Sequence, residues 1–377
     1  MKMLELASGE RIPRVGQGCM GIGGEFSRNP AQVAAHVAAL ELGIDLGLTL
    51  LDTAEIYAAG LSEEIVGKVA QGRRDRLFIA TKFSPENHEY SRVIEAAERS
   101  LMRLKTDYID LYQIHWPNPS VPIAETIRAM EDLVAAGKVR YVGLSNFSAR
   151  EMRTAQSALR ECTILSNQCE YNLFDRFIES DILPWCRAHN AIVMAYSPLD
   201  KGRNTDGDER RELLHALAAK YGRSPAQIAL SWLISQPSVV VIPKSVNPDH
   251  IRENAASADF ELEMGDRQLI DRVCSSEPEW VDPQAIRVSV DGEGARKVYQ
   301  TLEQALANLM GMSPSPQELA EFIRNGEPVK PVRLVRSSDP SGRFAFDLVE
   351  GRLRYWAWVI AFDGARAVPA YIRSRPT

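Results

Sequence analysis

The chain has 377 residues, 45% apolar and 25% charged, with a formal net charge of −6 at pH 7. That is ordinary globular composition, and it excludes a disordered chain, a collagen-like chain and a small disulfide scaffold. Five scattered cysteines (Cys19, Cys162, Cys169, Cys186, Cys274) never form a C-x-x-C pair, which suits a reducing compartment and offers no metal-site signature.

The N-terminal text MKMLELASGERIPRVG lacks the apolar core of a secretion signal. No run reaches the roughly 18 apolar residues of a membrane span. The expectation is a cytoplasmic protein. From there to about residue 280, short apolar runs alternate with helix-like stretches. The runs are 14–19, 48–54, 77–82, 108–115, 139–146, 163–168, 191–197 and 239–245. Each is poor in charge, as expected of strands buried on both faces. Between them, 29–46 opens on Asn-Pro, 90–105 carries an apolar stripe, 121–137 ends in Gly137, and Ser224 caps a helix over 225–235. Eight strands alternating with helices predict a closed (β/α)8 TIM barrel. An open doubly wound sheet is the rival. It would carry G-x-G-x-x-G after its first strand, and MGIGG at 20–24 does not fit that pattern.

In a barrel the reactive groups stand at the C-terminal ends of strands. There the second strand offers Asp52 and leads to Tyr57, the third offers Lys82 and the fourth His115. Any one of these could simply cap a strand; four at three successive strand ends point to one mouth. A free tyrosine has a pKa of about 10, and a nearby ammonium favours its phenolate. Lys82 could lower the Tyr57 pKa while Asp52 holds the lysine. His115 could orient a substrate oxygen. This is a general acid suited to an alkoxide forming as a carbonyl takes up hydride.

These residues resemble the aldo-keto reductase family. DTAEIY, ATKF with Lys82 and QIHWP with His115 occur in its order. So do GKVRYVGLSNF at 137–147, NQCEYN at 167–172, MAYSPL at 194–199 and IPKSVNPDHIREN at 242–254. The resemblance covers residues 1 to about 275. It implies a (β/α)8 barrel that binds NADPH and interconverts carbonyls and alcohols, with Asp52, Tyr57, Lys82 and His115 as its catalytic tetrad. It also implies that Ser145, Asn146 and Gln168 hold the nicotinamide carboxamide and that Tyr196 stacks on the ring. Ser197, Leu199 and Gly202 would line the pyrophosphate, Lys244, Ser245 and Asn247 the adenosine phosphate, and Glu253 and Asn254 the adenine. Two departures stand out. The loop after Tyr57 reads AAGLSEE where the family commonly has glycine and then Ser-Glu. The family's usual arginine in the phosphate motif is His250 here. Arginine grips phosphate with a permanently charged fork, whereas histidine is only partly charged near neutrality, which leaves room for NADH. Met20, Phe26, Phe83, Trp116 and Phe147 are candidate walls for a small-molecule carbonyl substrate.

The remaining segment differs in charge. Residues 283–377 hold 13 Lys+Arg against 10 Asp+Glu, leaving 31 against 40 for the rest of the chain. A boundary is expected at 280, with a barrel over 1–280 and a small α+β domain over 281–377. Helices are predicted at 302–309, 318–324 and 353–364, and strands at 331–337, 344–351 and 368–374. This order resembles the ParB-type and sulfiredoxin-like superfamily. Its G-x-x-R box would be Gly351 to Arg354, a phosphate or nucleotide site at a helix start. The segment has no cysteine, which rules out sulfinic-acid reduction. Its charge of +3 argues against a DNA footprint. Alternatively, Tyr355, Trp356 and Trp358 are packing residues of a structural module. For the whole chain, the alternative to an enzyme is a regulatory protein that senses a nicotinamide cofactor through the barrel and recognises nucleotide or nucleic acid through the tail.

Overall fold

The structure is a computed structural model and describes residues 1–200, 209–274, 277–288, 299–312, 314–338 and 342–373. A hairpin of β1 (Met3–Glu5) and β2 (Arg11–Pro13) comes first. Eight parallel strands follow: β3 (Gln17–Gly18), β4 (Leu50–Asp52), β5 (Phe78–Phe83), β6 (Ile109–Ile114), β7 (Val139–Ser145), β8 (Ile164–Glu170), β9 (Ile192–Tyr196) and β10 (Val239–Val241). They pair in sequence order, and a parallel bridge from Val15 to Val241 closes the ring, with Gly16 N–H donating to Val241 O at 2.8 Å. The predicted barrel is therefore present. Every residue of β5 and β6 is buried, which explains why these strands read as continuous apolar runs.

Helices alternate with the strands: α1 (Val33–Asp45), α2 (Leu61–Ala70), α3 (Tyr90–Leu104), α4 (Ile123–Ala135), α5 (Ala149–Ala158), α6 (Ile182–Ala188), α7 (Glu209–Tyr221), α8 (Pro225–Ser235), α9 (Pro248–Ala256) and α10 (Met264–Cys274). Helix α3 buries Val93, Ala97, Leu101 and Leu104 along one stripe. Capping boxes at Ser148/Glu151 and Ser224/Gln227 fix the starts of α5 and α8 by satisfying their first N–H groups. Inside the barrel, Leu50, Phe78, Leu111 and Met194 pack with Leu4 and Ile12 of the hairpin. The hairpin thus covers the strand starts and leaves the strand ends to the site.

The chain divides into two compact units: Met1–Gly202 with Glu212–Arg272, and Arg203–Arg211 with Val273–Thr377. The second has its own mixed sheet. It contains β11 (Glu279–Val281), β12 (Ile286–Arg287), β13 (Val332–Arg336), β14 (Phe346–Glu350) and β15 (Val368–Arg373), in the order β11-β15-β13-β14-β12. Residue 280, the boundary expected from composition, falls inside β11, which pairs antiparallel with β15. Its helices are α11 (Leu302–Leu306), α12 (Pro316–Arg324) and α13 (Arg352–Ala361). Tyr355 and Trp356 of α13 join Leu334, Leu348 and Val368 in this unit's own core, with Trp358 packed against it. Among the described residues, no helix is long and apolar enough to cross a membrane.

Candidate active site

Asp52 ends β4 and Lys82 is the fifth of six residues in β5; both side chains enter the barrel near its C-terminal end. Lys82 is fully buried, and its Nζ donates to Asp52 Oδ1 at 2.9 Å, Asp52 Oδ2 at 2.7 Å and Thr53 O at 2.8 Å. Asp52 Oδ1 also accepts from Gln168 Nε2 at 2.8 Å. Burial works against the ammonium, but Asp52 and Tyr57 together more than offset it, so the Lys82 pKa stands above the usual lysine value. Tyr57 follows in the loop after β4, with Lys82 Nζ 5.1 Å from its ring centre. Burial pushes the Tyr57 phenol above its ordinary value, with Lys82 opposing and Asp52 adding to the rise. This corrects the expectation of a lowered pKa: the lysine pulls in the expected direction, and desolvation outweighs it.

His115 immediately follows β6. Its ring meets Tyr57 edge-on at 5.7 Å and stacks on Trp116 at 3.7 Å. Burial, with Lys82 adding to it, pushes His115 down to about 2, so the imidazole is neutral at physiological pH. Its Nδ1 is buried without a hydrogen-bond partner. The loop after Tyr57 is unusual. Ala58 (φ +50°) and Ala59 (φ +49°) precede Gly60 (φ +85°), three successive left-handed residues of which only the last is the type that adopts this conformation freely.

Asp52, Tyr57 and His115 open into a cleft of about 1150 Å3. Ser145, Asn146, Gln168, Tyr196, Ser197, Leu199, Lys244, Ser245, His250, Glu253 and Asn254 line the same cleft. The three carboxamide candidates form one network. Ser145 Oγ donates to Gln168 O at 3.1 Å, Asn146 Nδ2 donates to His115 O at 3.1 Å, and Tyr196 Oη donates to Asn146 Oδ1 at 3.0 Å. Glu253 accepts from Ser224 Oγ at 3.0 Å. Asn247 is not among the cleft residues. Its Oδ1 accepts from Asp249 N–H at 2.9 Å and caps α9, so its side chain is engaged structurally. Gly202 lies outside the described residues.

Of the candidate substrate walls, Met20, Phe26 and Trp116 line the cleft. Phe83 and Phe147 do not: they are 0% and 2% exposed. Phe83 follows Lys82 on one strand and so faces the other way, against Tyr112 and His88. Sequence reasoning missed the glycine wall. Gly18, Gly21 and Gly24 line the cleft. A Cβ on Gly18 would stand 2.7 Å from Ile242 O. MGIGG directly after the first strand is the signal for Gly21 and Gly24; Gly18 lies before it, in the strand itself. In the second unit, Gly351 opens α13 with φ +95°. Arg354 Nη1 donates to Lys330 O at 2.8 Å and Pro331 O at 2.9 Å, and Nη2 meets Glu350 at 3.4 Å. That guanidinium ties the helix to the β13 approach.

The model of the aldo/keto reductase family matches residues 14–274. Methylglyoxal reductase YeaE of Escherichia coli (strain K12) is 39% identical over 272 residues, 72% of this chain and 94% of its own. Aldo-keto reductase YhdN of Bacillus subtilis (strain 168) is 35% identical, covering 61% of this chain and 80% of its own. Among solved structures, the thermostable aldo-keto reductase Tm1743, crystallised with the inhibitor epalrestat, superposes with a TM-score of 0.70 at 37% identity, over 72% of this chain and all of its own. An aldo/keto reductase from Klebsiella pneumoniae in complex with NADP and acetate gives 0.66 at 39% identity, over 72% of this chain and 94% of its own. With the closed barrel, the buried Lys82–Asp52 pair and these matches together, the chain belongs to the aldo/keto reductase family.

Proposed function

We propose that the protein reduces an aldehyde or ketone to an alcohol with NADPH, reversibly, with Asp52, Tyr57, Lys82 and His115 as its catalytic residues. The observation that carries this is the fully buried ammonium of Lys82, clamped by Asp52 beside the Tyr57 ring at the floor of the cleft. A pure sensor of cofactor has no need of such a group there.

The cleft fits the cofactor. Its volume exceeds the roughly 300–1,000 Å3 of ordinary ligand pockets, as an extended dinucleotide requires. At Gly18 a Cβ would stand 2.7 Å from Ile242 O, so glycine lets the chain pass close to the neighbouring backbone in the cleft wall, and the lining carries amides and hydroxyls near His115 and the Lys244 ammonium further along. Ser145, Asn146 and Gln168 would hold the carboxamide, which needs both donors and acceptors, and Tyr196 the ring face. Ser197 and Leu199 would follow the pyrophosphate. Lys244, Ser245 and His250 would meet the 2′-phosphate, and Glu253 and Asn254 the adenine. NADPH supplies the hydride when bound.

Tyr57 stays protonated, because burial holds its pKa above 10. A phenol is intrinsically a stronger acid than an alcohol, and Lys82 beside the ring opposes the rise, which together favour transfer to a nascent alkoxide. Lys82 then stabilises the phenolate. His115 is neutral and has a single N–H. A buried N–H without an acceptor is costly, so the proton belongs on Nε2, from which it can be donated to the substrate oxygen. The direct test is loss of NADPH absorbance with a panel of aldehydes and ketones. Tight NADPH binding without turnover on any of them would favour the sensor.

The relative named methylglyoxal reductase supports a small carbonyl substrate. A cytoplasmic location suits the free cysteines Cys19, Cys162, Cys169, Cys186 and Cys274. For the C-terminal unit the order α12-β13-β14-α13 and the glycine that opens α13 support a ParB-like module, with Gly351 and Arg354 offering nucleotide phosphate a place. Titration with nucleotides tests that reading, and absence of binding leaves Arg354 as the structural tie described above. Truncation after Cys274 tests independence of the two units: the barrel fragment is expected to stay folded and bind NADPH.

A further inference from the structure

The walls of the cleft around Tyr57 carry charge in an uneven way. Met20, Phe26 and Trp116 are 46%, 63% and 40% exposed, large apolar groups presented at the mouth. Glu25 lies between the first two. Its carbonyl accepts from Ala58 N–H at 2.9 Å, which anchors it beside the residue that follows Tyr57. Its side chain is exposed, lines the cleft, and has no hydrogen-bond or ion-pair partner among the described residues. The cation on the same loop, Arg28, is held elsewhere: its two Nη atoms donate to Glu64 at 2.9 and 2.8 Å. Among the described residues lining the cleft, the basic side chains are Lys244, His250 and His115, of which His115 is held neutral by burial. On the proposed cofactor placement, the other two lie apart from it, at the phosphate end.

We infer that the enzyme selects uncharged carbonyl compounds with an aryl or alkyl flank and turns away those whose flank carries a carboxylate, with Glu25 as the specificity-determining residue. This rests on the reductase reading above. The physical reason is twofold. A carboxylate on the flank would lose hydration against the apolar walls of the mouth, where the described residues offer no free cation, and it would face an unpaired like charge. The selection concerns the flank of the substrate, not the oxygen that receives the Tyr57 proton.

The test compares methyl 4-formylbenzoate with 4-carboxybenzaldehyde, which differ in charge at the far end of one ring. The readout is the ratio of their kcat/KM values with NADPH, so general effects of a mutation cancel. The wild type is expected to favour the ester. In Glu25→Gln the ratio is expected to fall about fivefold, the scale of one charge acting across a partly screened cleft. In Glu25→Lys it is expected to fall by a further similar factor. Added salt is expected to narrow the wild-type ratio and to leave that of Glu25→Gln nearly unchanged. A wild-type ratio near one, or a ratio that neither variant moves, overturns the inference while leaving the reductase reading in place. No turnover of either compound by the wild type, nor of any other aldehyde, overturns both.

Discussion

Replacing Lys82 by Met removes the one buried cation that Asp52 faces. Asp52 is 2% exposed and would keep only amide donors, Gln168 Nε2 at 2.8 Å and Gln113 Nε2 at 3.4 Å. An uncompensated buried charge of this kind costs about 3–5 kcal/mol. At about 2–4 °C per kcal/mol for a domain of this size, the melting temperature should fall by roughly 6–20 °C. The double variant Lys82→Met/Asp52→Asn removes both charges. It should recover much of the loss, because replacing a whole buried pair is often near neutral. The assay is thermal and denaturant unfolding of wild type, both single variants and the double variant, as a cycle. Additive losses, or a Lys82→Met protein as stable as wild type, would refute the claim that the pair is ionic and buried.

His250→Arg should tighten NADPH by about 1 kcal/mol or more, the scale of a charge-assisted hydrogen bond, with little change for NADH; equal changes for both would show that residue 250 does not face the 2′-phosphate. His88, buried against Phe83 with Nε2 on Trp116 O at 3.0 Å, is pushed by burial from 6.5 down to about 4. The unfolded chain therefore takes up a proton that the folded chain refuses, so this contribution to stability is full above pH 6.5 and is lost as pH falls from 6.5 to 4. His88→Gln should flatten that acid slope in denaturant titrations, and an unchanged slope would contradict the assignment. Ala59→Gly should raise stability by up to about 1 kcal/mol, since glycine relieves the left-handed strain at an exposed position and gives back part of the gain as unfolded-state entropy. Destabilisation by this change would mean that the loop is not strained there.

The barrel was legible because β5 and β6 are buried on both faces and β8 and β9 nearly so, which leaves little charge in them; Asp110 and Arg140 stand at strand starts and pair with each other, whereas Lys82 stands near a strand end. Asp52, Lys82 and His115 stood out for that reason. Phe83 was misassigned although the strand's period of two places it opposite Lys82. Asn247 is a ligand candidate only through the family resemblance; Asn-Pro at a helix start is itself a capping signal, and the structure uses it as one. The glycines of MGIGG at 20–24 lack a dinucleotide fingerprint, and nothing in the sequence marks Gly18. In a closed barrel their function is to leave room along a wall, and spacing does not reveal that. The rise in the Tyr57 pKa was out of reach because it depends on the balance of burial against the Lys82 charge, a three-dimensional quantity. In the C-terminal unit the main strands and helices were placed, but the partners of Arg354 lie 23 and 24 residues away in sequence.

The central claim is that Tyr57 donates the proton to the reduced carbonyl. Tyr57→Phe removes the hydroxyl and keeps the ring beside His115. Single-turnover reduction of an aldehyde by the NADPH-loaded variant should slow by roughly 10² or more, as loss of a general acid implies, with the NADPH dissociation constant unchanged within about twofold. Near-normal reduction by Tyr57→Phe would mean that another group supplies the proton, and the account of this site would be wrong.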